Sequence, residues 1–594
     1  MVAAIASTTI GWAQAPVAPP VGGRGSAPAA AQPNPGVARG SASVRVPAWG
    51  KLRTAVTSLL EWNVGVPLGS FKRETFFDAA ARADALGVAA IEGDSAQKVN
   101  IQIPKNLDYK LAPGELNAVR DRMTALSLRM PAYFTPTIGE DDQAARRVFE
   151  FAKALGIETV VVQQTPAALP AIEKLADEHG INVALSGSPK VVLEAIRGRG
   201  PRIGVHADLG KWMQEGVAPA DGLALVGEKL LVLRLSDRNA LGKGGRPVAL
   251  GSGVAGIASL LADIHRRALK PSLIVDTSGG ADVTADLSRS LEGFERAVQG
   301  VAAARVAQMS REIPIKGPDR LTPEEREKVT EAIPGKAAAA PKKSRRLLVY
   351  DANIGYGGRG GGHRSIPAGN MAIELFAKAT GAYEPVFSND LENFKYDKLR
   401  QFDAIFLNNT VGMIFVDPAV RDGLSRFVRE GGGLAAYHGA SHASMDWPEF
   451  GEMLGAVEGS HREPTEIATV KIDDPSSPLV AAFGGKSFVH QDEFYRFVDP
   501  PLSRDKVRVL MSIDMEKTDL NQGRGCGRPC VRPDGDYALS WIHSYGKGRV
   551  FFTALGHTPA FFSRPDLNEF FFAAIQFVLG DLEADTTPSA KKRP

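Results

Sequence analysis

Histidine is concentrated in the C-terminal part of this chain, which holds seven of the ten histidines among its 594 residues. Two of them, His438 and His557, each follow a short apolar run that predicts a buried strand. Residues just past the carboxyl ends of parallel strands line the ligand crevice in doubly wound α/β folds. Because neutral imidazole is the commonest transition-metal ligand and general base, the pair predicts a metal or acid–base site.

Other polar side chains lie near the predicted strands of the same region. A glycine-rich loop at residues 351–365 supplies the backbone freedom to bring His363 and Arg364 over the strand ends. The loop lacks the Gly-Lys-Ser/Thr ending of a phosphate-binding loop, so we expect no nucleotide cofactor. Farther on, residues 492–495 predict a strand in which alternation places Glu493 on the same face as Tyr495. Glu493 is therefore the carboxylate expected to face the crevice.

These side chains suit a divalent metal, with zinc the expected ion, or metal-free acid–base chemistry. We predict His438, His557 and Glu493 as the metal ligands. The predicted catalytic residues are His363, His438, Glu493 and His557. The predicted substrate-binding residues are Arg364, His442, His461, Asp492 and Tyr495. For His442 the alternative is a hydrogen bond within its loop, whereas His490 and His543 are expected to be surface or sheet histidines.

Length and composition describe a globular protein of several domains. A chain of 594 residues is too long for one core, and roughly two to four domains are expected. The formal net charge of +3, without a basic stripe of interleaved aromatic residues, argues against a nucleic-acid partner. No apolar run approaches the roughly 20 residues that a membrane span requires. The sequence leaves the oligomeric state open.

The N-terminal residues predict export. Residues 1–15 are apolar and small, and Ala-Gln-Ala at 13–15 resembles a signal-peptidase site, although the positive n-region is missing. We expect a truncated signal peptide, a periplasmic or secreted protein, and a disordered Pro/Ala/Gly linker at residues 16–50. Cys526 and Cys530 could form a local disulfide or half of a zinc site, but no second pair completes a zinc site.

From residue 51 to residue 304, short apolar runs alternate with helical patterns. This rhythm over about 250 residues predicts a (β/α)8 barrel. Residues 233–254, with Glu92 and residues 204–210, resemble the sugar-phosphate isomerase/epimerase family of xylose-isomerase-like barrels. The resemblance implies a divalent metal held by Glu, Asp, His and Glu at four strand ends.

This chain departs from that metal-binding pattern. By strand order, the four positions read Ser186, Asp208, Arg234 and Asp276. Two aspartates beside an arginine are a poor cage for a hard cation, which needs several converging oxygen or nitrogen ligands. We therefore expect a degenerate barrel kept for binding or scaffolding. His206 is the one residue that could restore a site, and a core position is the expected alternative.

A connector and a second domain follow the barrel. Residues 305–345 predict a linker with a short helix, because Thr322 begins a Thr-Pro-Glu-Glu sequence with a capping hydroxyl, an N1 proline and early acids. Residues 346–582 show a βαβαβ pattern, which predicts a doubly wound parallel sheet with helices on both faces. Residues 583–594 are expected to be a disordered tail.

A series of motifs runs through the second domain. They are Gly-His-Arg-Ser-Ile-Pro-Ala-Gly at 362–369, Leu-Asn-Asn-Thr at 407–410, Gly-Gly-Gly at 431–433 before His-Gly-Ala at 438–440, Asp-Trp-Pro at 446–448, Leu-Gly-Ala at 454–456 with Ser-His at 460–461, Asp-Glu-Phe-Tyr at 492–495, and the strand and turn at 548–558. In this order they resemble the ThuA-like, or trehalose-utilisation, domain of the flavodoxin-like class I glutamine-amidotransferase-like fold. The resemblance implies carbohydrate substrates, namely glucosides or their keto derivatives.

The same resemblance argues against one activity. In amidotransferases the nucleophile is a cysteine on the turn after the central strand, and here that position is His438. Without a thiol there is no acyl-enzyme route to glutamine hydrolysis.

The sequence thus predicts a carbohydrate-processing protein, a metal-assisted isomerase, lyase or hydrolase that acts on a glycoside or ketosugar through its second domain. The alternative is a non-catalytic carbohydrate-binding or scaffolding protein with a pseudoenzyme barrel. A third possibility keeps catalysis in the barrel, with Asp208 and Asp276 as the residues to test. Convergence of the strand-end His and Glu side chains favours the enzyme.

Overall fold

The computed structural model describes residues 57, 59–139, 141–163, 169–277, 279–355, 362–497, 501–520, 532 and 534–591. The predicted signal peptide, the Pro/Ala/Gly linker and both cysteines lie outside the described residues, as do residues 356–361 of the glycine-rich loop. The expectations attached to those segments stay predictions.

The N-terminal part is a closed barrel of eight parallel strands, in the order β1-β10-β7-β6-β5-β4-β3-β2. The barrel strands are β1 Asn63–Pro67, β2 Ala90–Asp94, β3 Arg129–Phe134, β4 Thr159–Val162, β5 Asn182–Ser186, β6 Ile203–Asp208, β7 Leu230–Leu235 and β10 Ser272–Val275. A short antiparallel hairpin, β8 Asp237–Arg238 and β9 Pro247–Val248, follows β7. The predicted barrel is confirmed.

Helices connect these strands. They are α1 Phe76–Ala85, α2 Pro113–Ala125, α3 Asp142–Ala154, α4 Leu169–His179, α5 Pro189–Ala195, α6 Leu209–Gln214, α7 Pro219–Val226, α8 Ile257–Arg266 and α9 Val283–Glu312. Helix α9 has 30 residues, about 45 Å at 1.5 Å per residue. Asp282 begins it by accepting a hydrogen bond from the Ala285 backbone N–H.

The barrel interior has its own small apolar layer. Ala184, Val232 and Ile274 belong to a core cluster that is separate from the main core. Because side chains alternate along a strand, Ser186, Arg234 and Asp276 point to the same interior, one layer nearer the carboxyl ends. This is the end of a barrel where ligand sites occur.

The C-terminal part contains a nine-stranded sheet in the order β12-β11-β13-β14-β21-β20-β19-β16-β17. Its strands are β11 Arg346–Tyr350, β12 Glu384–Phe387, β13 Ala404–Leu407, β14 Gly433–Tyr437, β16 Glu466–Ile472, β17 Phe488–Asp492, β19 Arg508–Ile513, β20 Ala538–Tyr545 and β21 Gly548–Thr553. The half from β12 to β21 is parallel, as predicted. The half from β20 to β17 is antiparallel, so the sheet as a whole is mixed.

Among the residues that the structure describes, five α-helices and a small ribbon complete this domain. The helices are α11 Ile366–Thr380, α12 Tyr396–Leu399, α13 Pro418–Arg429, α14 Pro448–Leu454 and α15 Pro565–Leu579, and the antiparallel ribbon is β15 Glu458–His461 with β18 Tyr495–Phe497. Every phenylalanine of α15 is buried, so this helix belongs to the core of the domain. Among the described helices, none is both long enough and apolar enough to span a bilayer.

The connector carries α10 Pro323–Glu331, and its predicted capping is confirmed. Thr322 Oγ1 accepts from the Glu325 backbone N–H at 3.1 Å, and Glu325 Oε2 accepts from the Thr322 N–H at 2.9 Å. The connector is also fastened to the second domain. Ser310 Oγ lies 2.7 Å from the Tyr350 hydroxyl, and Lys316 Nζ donates to the Asp351 carbonyl at 2.9 Å.

The predicted disordered tail is wrong for residues 583–591. The Ser589 backbone N–H donates to Val507 O at 3.1 Å, and Ser589 Oγ accepts from the Val509 N–H at 2.9 Å. Asp585 forms a salt bridge with Arg508 at 3.0 Å. These bonds hold the segment beside the start of β19, a contact that tail composition alone does not reveal.

Candidate metal centre

Four side chains converge beyond the carboxyl ends of β14 and β21. These two strands are neighbours in the parallel half of the sheet, so the turns that follow them meet. His438 comes directly after β14, and His557 lies in the turn after β21. One ligand atom each from His363, His438, Glu493 and His557 lies within 4.8 Å of the others. The structure therefore brings together all four predicted catalytic residues, while their roles stay predictions.

The ring of His438 is fixed by the backbone. The residue has φ +44°, a left-handed conformation that is strained for a side chain of this size and clusters at functional sites. Its Nδ1 lies 2.7 Å from the Ala554 carbonyl oxygen, which can only accept, so Nδ1 carries the proton. Its Nε2 faces Glu493 Oε2 at 3.3 Å, so this pair is held either by a proton on Nε2 or by a metal ion between the two atoms.

Glu493 is surrounded by imidazoles. Its Oε1 lies 3.1 Å from His461 Nδ1 and 3.8 Å from His557 Nε2. Burial opposes ionisation, but hydrogen bonds and charge from His438 and His461 outweigh it and hold the pKa of Glu493 well below its usual range. The carboxylate is therefore ionised at neutral pH and available as a ligand.

The other two imidazoles are kept neutral. Burial lowers the pKa of His363 well below its usual value, and the neighbouring His438 and His557 lower it further. Burial also lowers the pKa of His557, with His438 adding to the effect. The His363 ring stands edge-on to both, with centroids 4.8 Å from His438 and 4.9 Å from His557. A neutral imidazole is the form that binds a metal.

The donor set fits a transition-metal ion. Three imidazole nitrogens and one carboxylate suit zinc and similar divalent ions better than magnesium or calcium, which prefer oxygen ligands. Buried His557 Nδ1 has no hydrogen-bond partner among the residues that the structure describes, and His438 Nε2 faces the Glu493 carboxylate. A ring nitrogen tied to a backbone carbonyl, with the other nitrogen turned to the centre, is the usual arrangement of a metal-bound histidine.

Only some of the predicted substrate-binding residues border this centre. His461 does, since it touches Glu493 and its side chain is 45% exposed. His442 lies outside the four-residue cluster and faces Glu458, with Nε2 3.9 Å from the carboxylate.

Three of these predictions need correction. Arg364 points away from the centre, because its exposed guanidinium pairs with Glu325 of the connector at 3.0 Å. Tyr495 is 4% exposed, and its ring stacks on His438 at 4.3 Å, so that face is not open to a sugar. Asp492 is also buried, and both of its carboxylate oxygens accept backbone N–H groups of Gly556 and His557.

His490 and His543 have structural surroundings. His490 Nε2 lies 3.3 Å from Asp492 Oδ2. His543, on β20, has Nε2 3.0 Å from the Met453 carbonyl. Sequence reasoning missed the Ala554 carbonyl that fixes His438, and no sequence signal could reveal it, since any residue offers a carbonyl. It also missed Asn409, with φ +55°, whose Oδ1 accepts the Gly439 N–H at 2.8 Å beside His438.

Ion pairs join side chains at the mouth of the barrel. Arg234 lies 2.5 Å from Glu92 and 3.7 Å from Asp276. Asp276 also accepts from Ser70 Oγ at 2.9 Å, and Asp208 caps α6 through the Lys211 N–H. The His206 Nδ1 lies 3.1 Å from Ser186 Oγ, and burial lowers the pKa of His206 to about 3. In the described part of the barrel, no group of three metal-ligating side chains converges.

Comparison with known families is decisive for the second domain. Residues 347–578 match the family model for ThuA, described as trehalose utilisation. The C-terminal domain is a ThuA-family domain. The match associates the chain with a carbohydrate-related function. No curated protein matches the chain.

Solved structures similar to parts of this chain include ThuA-like proteins and isomerase-like barrels. A protein from Parabacteroides distasonis is 23% identical, with TM-score 0.35, and the match covers 40% of this chain and 99% of that one. A ThuA-like protein from Bacteroides uniformis is 20% identical, with TM-score 0.32 and coverage of 42% and 97%. A xylose-isomerase-like TIM barrel from Mycobacterium smegmatis, in complex with magnesium, is 14% identical, with TM-score 0.34 and coverage of 42% and 99%.

Proposed function

We propose that this protein is a carbohydrate-processing enzyme whose ThuA domain holds a divalent transition metal, with zinc the expected ion. His438, His557 and Glu493 are the ligands, and His363 is a fourth ligand or an acid–base group. The substrate is a glycoside or a ketosugar, and the reaction is an isomerisation, an elimination or a hydrolysis. The family description of trehalose utilisation supports the substrate class.

One observation carries this proposal: the four ligand atoms lie within 4.8 Å of one another while the His438 Nδ1 proton is held by the Ala554 carbonyl. Such an arrangement places three imidazole nitrogens and one carboxylate oxygen close enough together to share one ion. The close approach of His438 Nε2 to the Glu493 carboxylate requires a proton or a cation between them. A metal ion would meet this requirement and would also engage His363 and His557.

When bound, the metal would act as a Lewis acid on a carbonyl or lower the pKa of a water. The protein supplies orientation and proton positions. The Tyr495 ring stacks on one face of the His438 ring, and the Ala554 carbonyl oxygen accepts the proton of His438 Nδ1. His461 keeps its proton on Nδ1, shared between Glu493 Oε1 and the Arg462 carbonyl at 2.9 Å. Because His461 is half-exposed beside the centre, it is the imidazole placed to meet a substrate hydroxyl.

The first test is the metal content of purified protein by plasma mass spectrometry. We expect close to one zinc or related ion per wild-type chain, and loss of it in His438→Ala and in His557→Ala. His265→Ala, a matched change in barrel helix α8, should keep the metal. A metal-free wild type after purification without chelators contradicts the metal centre and favours metal-free acid–base chemistry or a binding protein.

The reaction is tested with metal-loaded protein and a panel of glycosides and ketosugars followed by NMR in deuterated water. Deuterium incorporation next to a carbonyl indicates proton abstraction, and therefore an isomerase or lyase. Release of a reducing sugar without incorporation indicates a hydrolase. Saturable sugar binding with no turnover supports the carbohydrate-binding alternative instead.

We propose that the barrel has a non-catalytic role. The observation that favours this is Arg234, whose guanidinium pairs with Glu92 and approaches Asp276 where the strand ends meet. Burial opposes the charge of Arg234, but the carboxylates of Glu92, Asp276 and Asp208 outweigh it and raise its pKa. Asp208→Asn and Asp276→Asn should therefore leave turnover by the ThuA domain unchanged. Loss of turnover in both variants would indicate that the barrel carries the catalytic site.

A further inference from the structure

Asp492 directly precedes Glu493 in the chain and is 1% exposed. Its Oδ1 accepts from the Glu493 N–H at 2.9 Å and from the His557 N–H at 3.0 Å. Its Oδ2 accepts from the Gly556 N–H at 2.7 Å and lies 3.3 Å from His490 Nε2. One carboxylate therefore receives four polar groups, and two of them are the backbone amides of predicted metal ligands.

These bonds join two segments that are far apart in the chain. Glu493 follows the edge strand β17, while His557 follows β21 near the middle of the sheet. Between them stand β20, β19 and β16 in the sheet order, so no ladder hydrogen bond joins β17 directly to β21. The turn at His557 is also unusual, since Gly556 has φ +113° and a Cβ there would lie 2.7 Å from the Tyr437 ring.

We propose that Asp492 is a positioning residue of the metal centre, which sets the distance between Glu493 and His557 by binding both backbone amides. This inference rests on the proposed metal function and replaces the substrate-binding role predicted for Asp492. The carboxylate suits this task because it only accepts, through two oxygens with about four lone-pair directions. An amide in its place offers one oxygen and turns an NH2 group toward an N–H donor.

Asp492→Asn is therefore expected to weaken zinc binding by about 10- to 100-fold, the usual effect of losing a group that orients a metal ligand. The matched control is Asp581→Asn, since Asp581 is also buried and accepts from the Lys342 N–H and from Arg345, beside the start of β11. The control should bind zinc as the wild type does. The affinity of each variant is measured with zinc alone, by competition with a chromophoric chelator.

The visible absorption spectrum of cobalt-substituted protein gives a second readout. General destabilisation of the fold does not change this spectrum. If Asp492 sets the ligand spacing, the visible absorption bands of bound Co2+ should shift or lose intensity in Asp492→Asn and not in Asp581→Asn. A folded Asp492→Asn protein with wild-type zinc affinity and wild-type cobalt bands overturns the inference while leaving the metal centre intact. A wild type that binds no zinc overturns the proposed function, and this inference with it.

A third measurement needs no variant and covers the case in which Asp492→Asn does not fold. The amides of Gly556 and His557 should be protected from hydrogen exchange in metal-free wild-type protein, because Asp492 holds them before any metal binds. Fast exchange of both amides in the metal-free protein, with protection only after zinc is added, overturns the inference, since the metal would then order the turn itself.

Discussion

At the scale of single residues, Glu493 is the side chain on which the centre depends most. It supplies the one anion among three imidazoles, and it links His438 and His461. We expect Glu493→Gln to lower zinc affinity at least about tenfold, because an amide keeps the shape and loses the charge. Chelator competition measures the change. Glu458→Gln, a buried carboxylate facing His442, is the matched control, and equal losses in both variants would contradict a specific role for Glu493.

The residues of the centre were partly predictable. His438 and His557 follow predicted strands, His363 lies in the glycine-rich loop, and Glu493 lies in a predicted strand. Because histidine is scarce elsewhere, residue type and placement together indicated a chemical role. The true surroundings of Asp492 and Tyr495 were not predictable. Asp492 binds backbone amides 64 and 65 positions away, and backbone groups leave no mark in a sequence. Tyr495 stacks on His438, and only the tertiary fold decides which face of a ring is covered.

At the scale of elements, the tight 3-10 turn after β14 presents His438 and leaves little room beside it. A Cβ at Gly439 would lie 2.4 Å from Asn409 Oδ1 and 3.0 Å from His363 Cε1. We expect Gly439→Ala to displace His363 and lower zinc affinity, while Gly300→Ala in α9, where a Cβ meets nothing within 4 Å, leaves it unchanged. A Gly439→Ala protein that keeps wild-type affinity in the chelator assay would show that His363 is not needed as a ligand.

The hydrophobic pattern of the sequence predicted the parallel strands well and the antiparallel strands poorly. The buried runs of β11, β13 and β14 are short, apolar and separated by helices, which is the clear signature of a βαβ unit. Residues 492–495 were predicted as one strand, but Asp492 ends β17 and Tyr495 begins β18. The break occurs because Asp492 pairs with Glu466 in the large sheet, whereas Tyr495 pairs with His461 in the small ribbon. Such a change of partner is not visible in local alternation.

At the scale of the whole molecule, buried histidines predict sensitivity to acid. Burial lowers the pKa of His206 to about 3 in the barrel and that of His543 to about 4 in the ThuA domain. Both pKa values are depressed on folding, so the unfolded chain binds more protons than the folded chain once the pH falls below about 6.5. The free energy of unfolding should therefore decrease from pH 6.5 to about pH 4.

His543→Gln tests this effect, because an amide can still donate to the Met453 carbonyl and does not titrate. The full shift of His543 corresponds to roughly 3 kcal/mol. We expect the variant to lose less stability than the wild type between pH 6.5 and pH 4, measured as the urea midpoint of the ThuA domain. Parallel pH profiles for the two proteins would show that His543 is not responsible.

The two-part architecture was predictable from the rhythm of strands and helices, whereas the connection between the parts was not. Residues 305–345 have the composition of a linker, yet Ser310 and Lys316 bind Tyr350 and Asp351 inside the second domain. Farther along, Gln576 Oε1 of α15 accepts the backbone N–H groups of Ala338 and Ala339 at 2.7 and 3.1 Å. Composition indicates how much apolar surface a segment can bury by itself. It does not indicate which polar groups of a neighbouring domain will bind the segment.

Helix α9 therefore decides where a fragment of this protein can be cut. A polypeptide that starts at residue 346 would carry the Tyr350 hydroxyl and the Asp351 carbonyl without Ser310 and Lys316, two groups that bind them in the full chain. A fragment that keeps these two contacts must begin before Ser310, within the last turns of α9, which is a helix of the barrel. A ThuA domain transferred to another protein would therefore need the end of this barrel helix as its own first element.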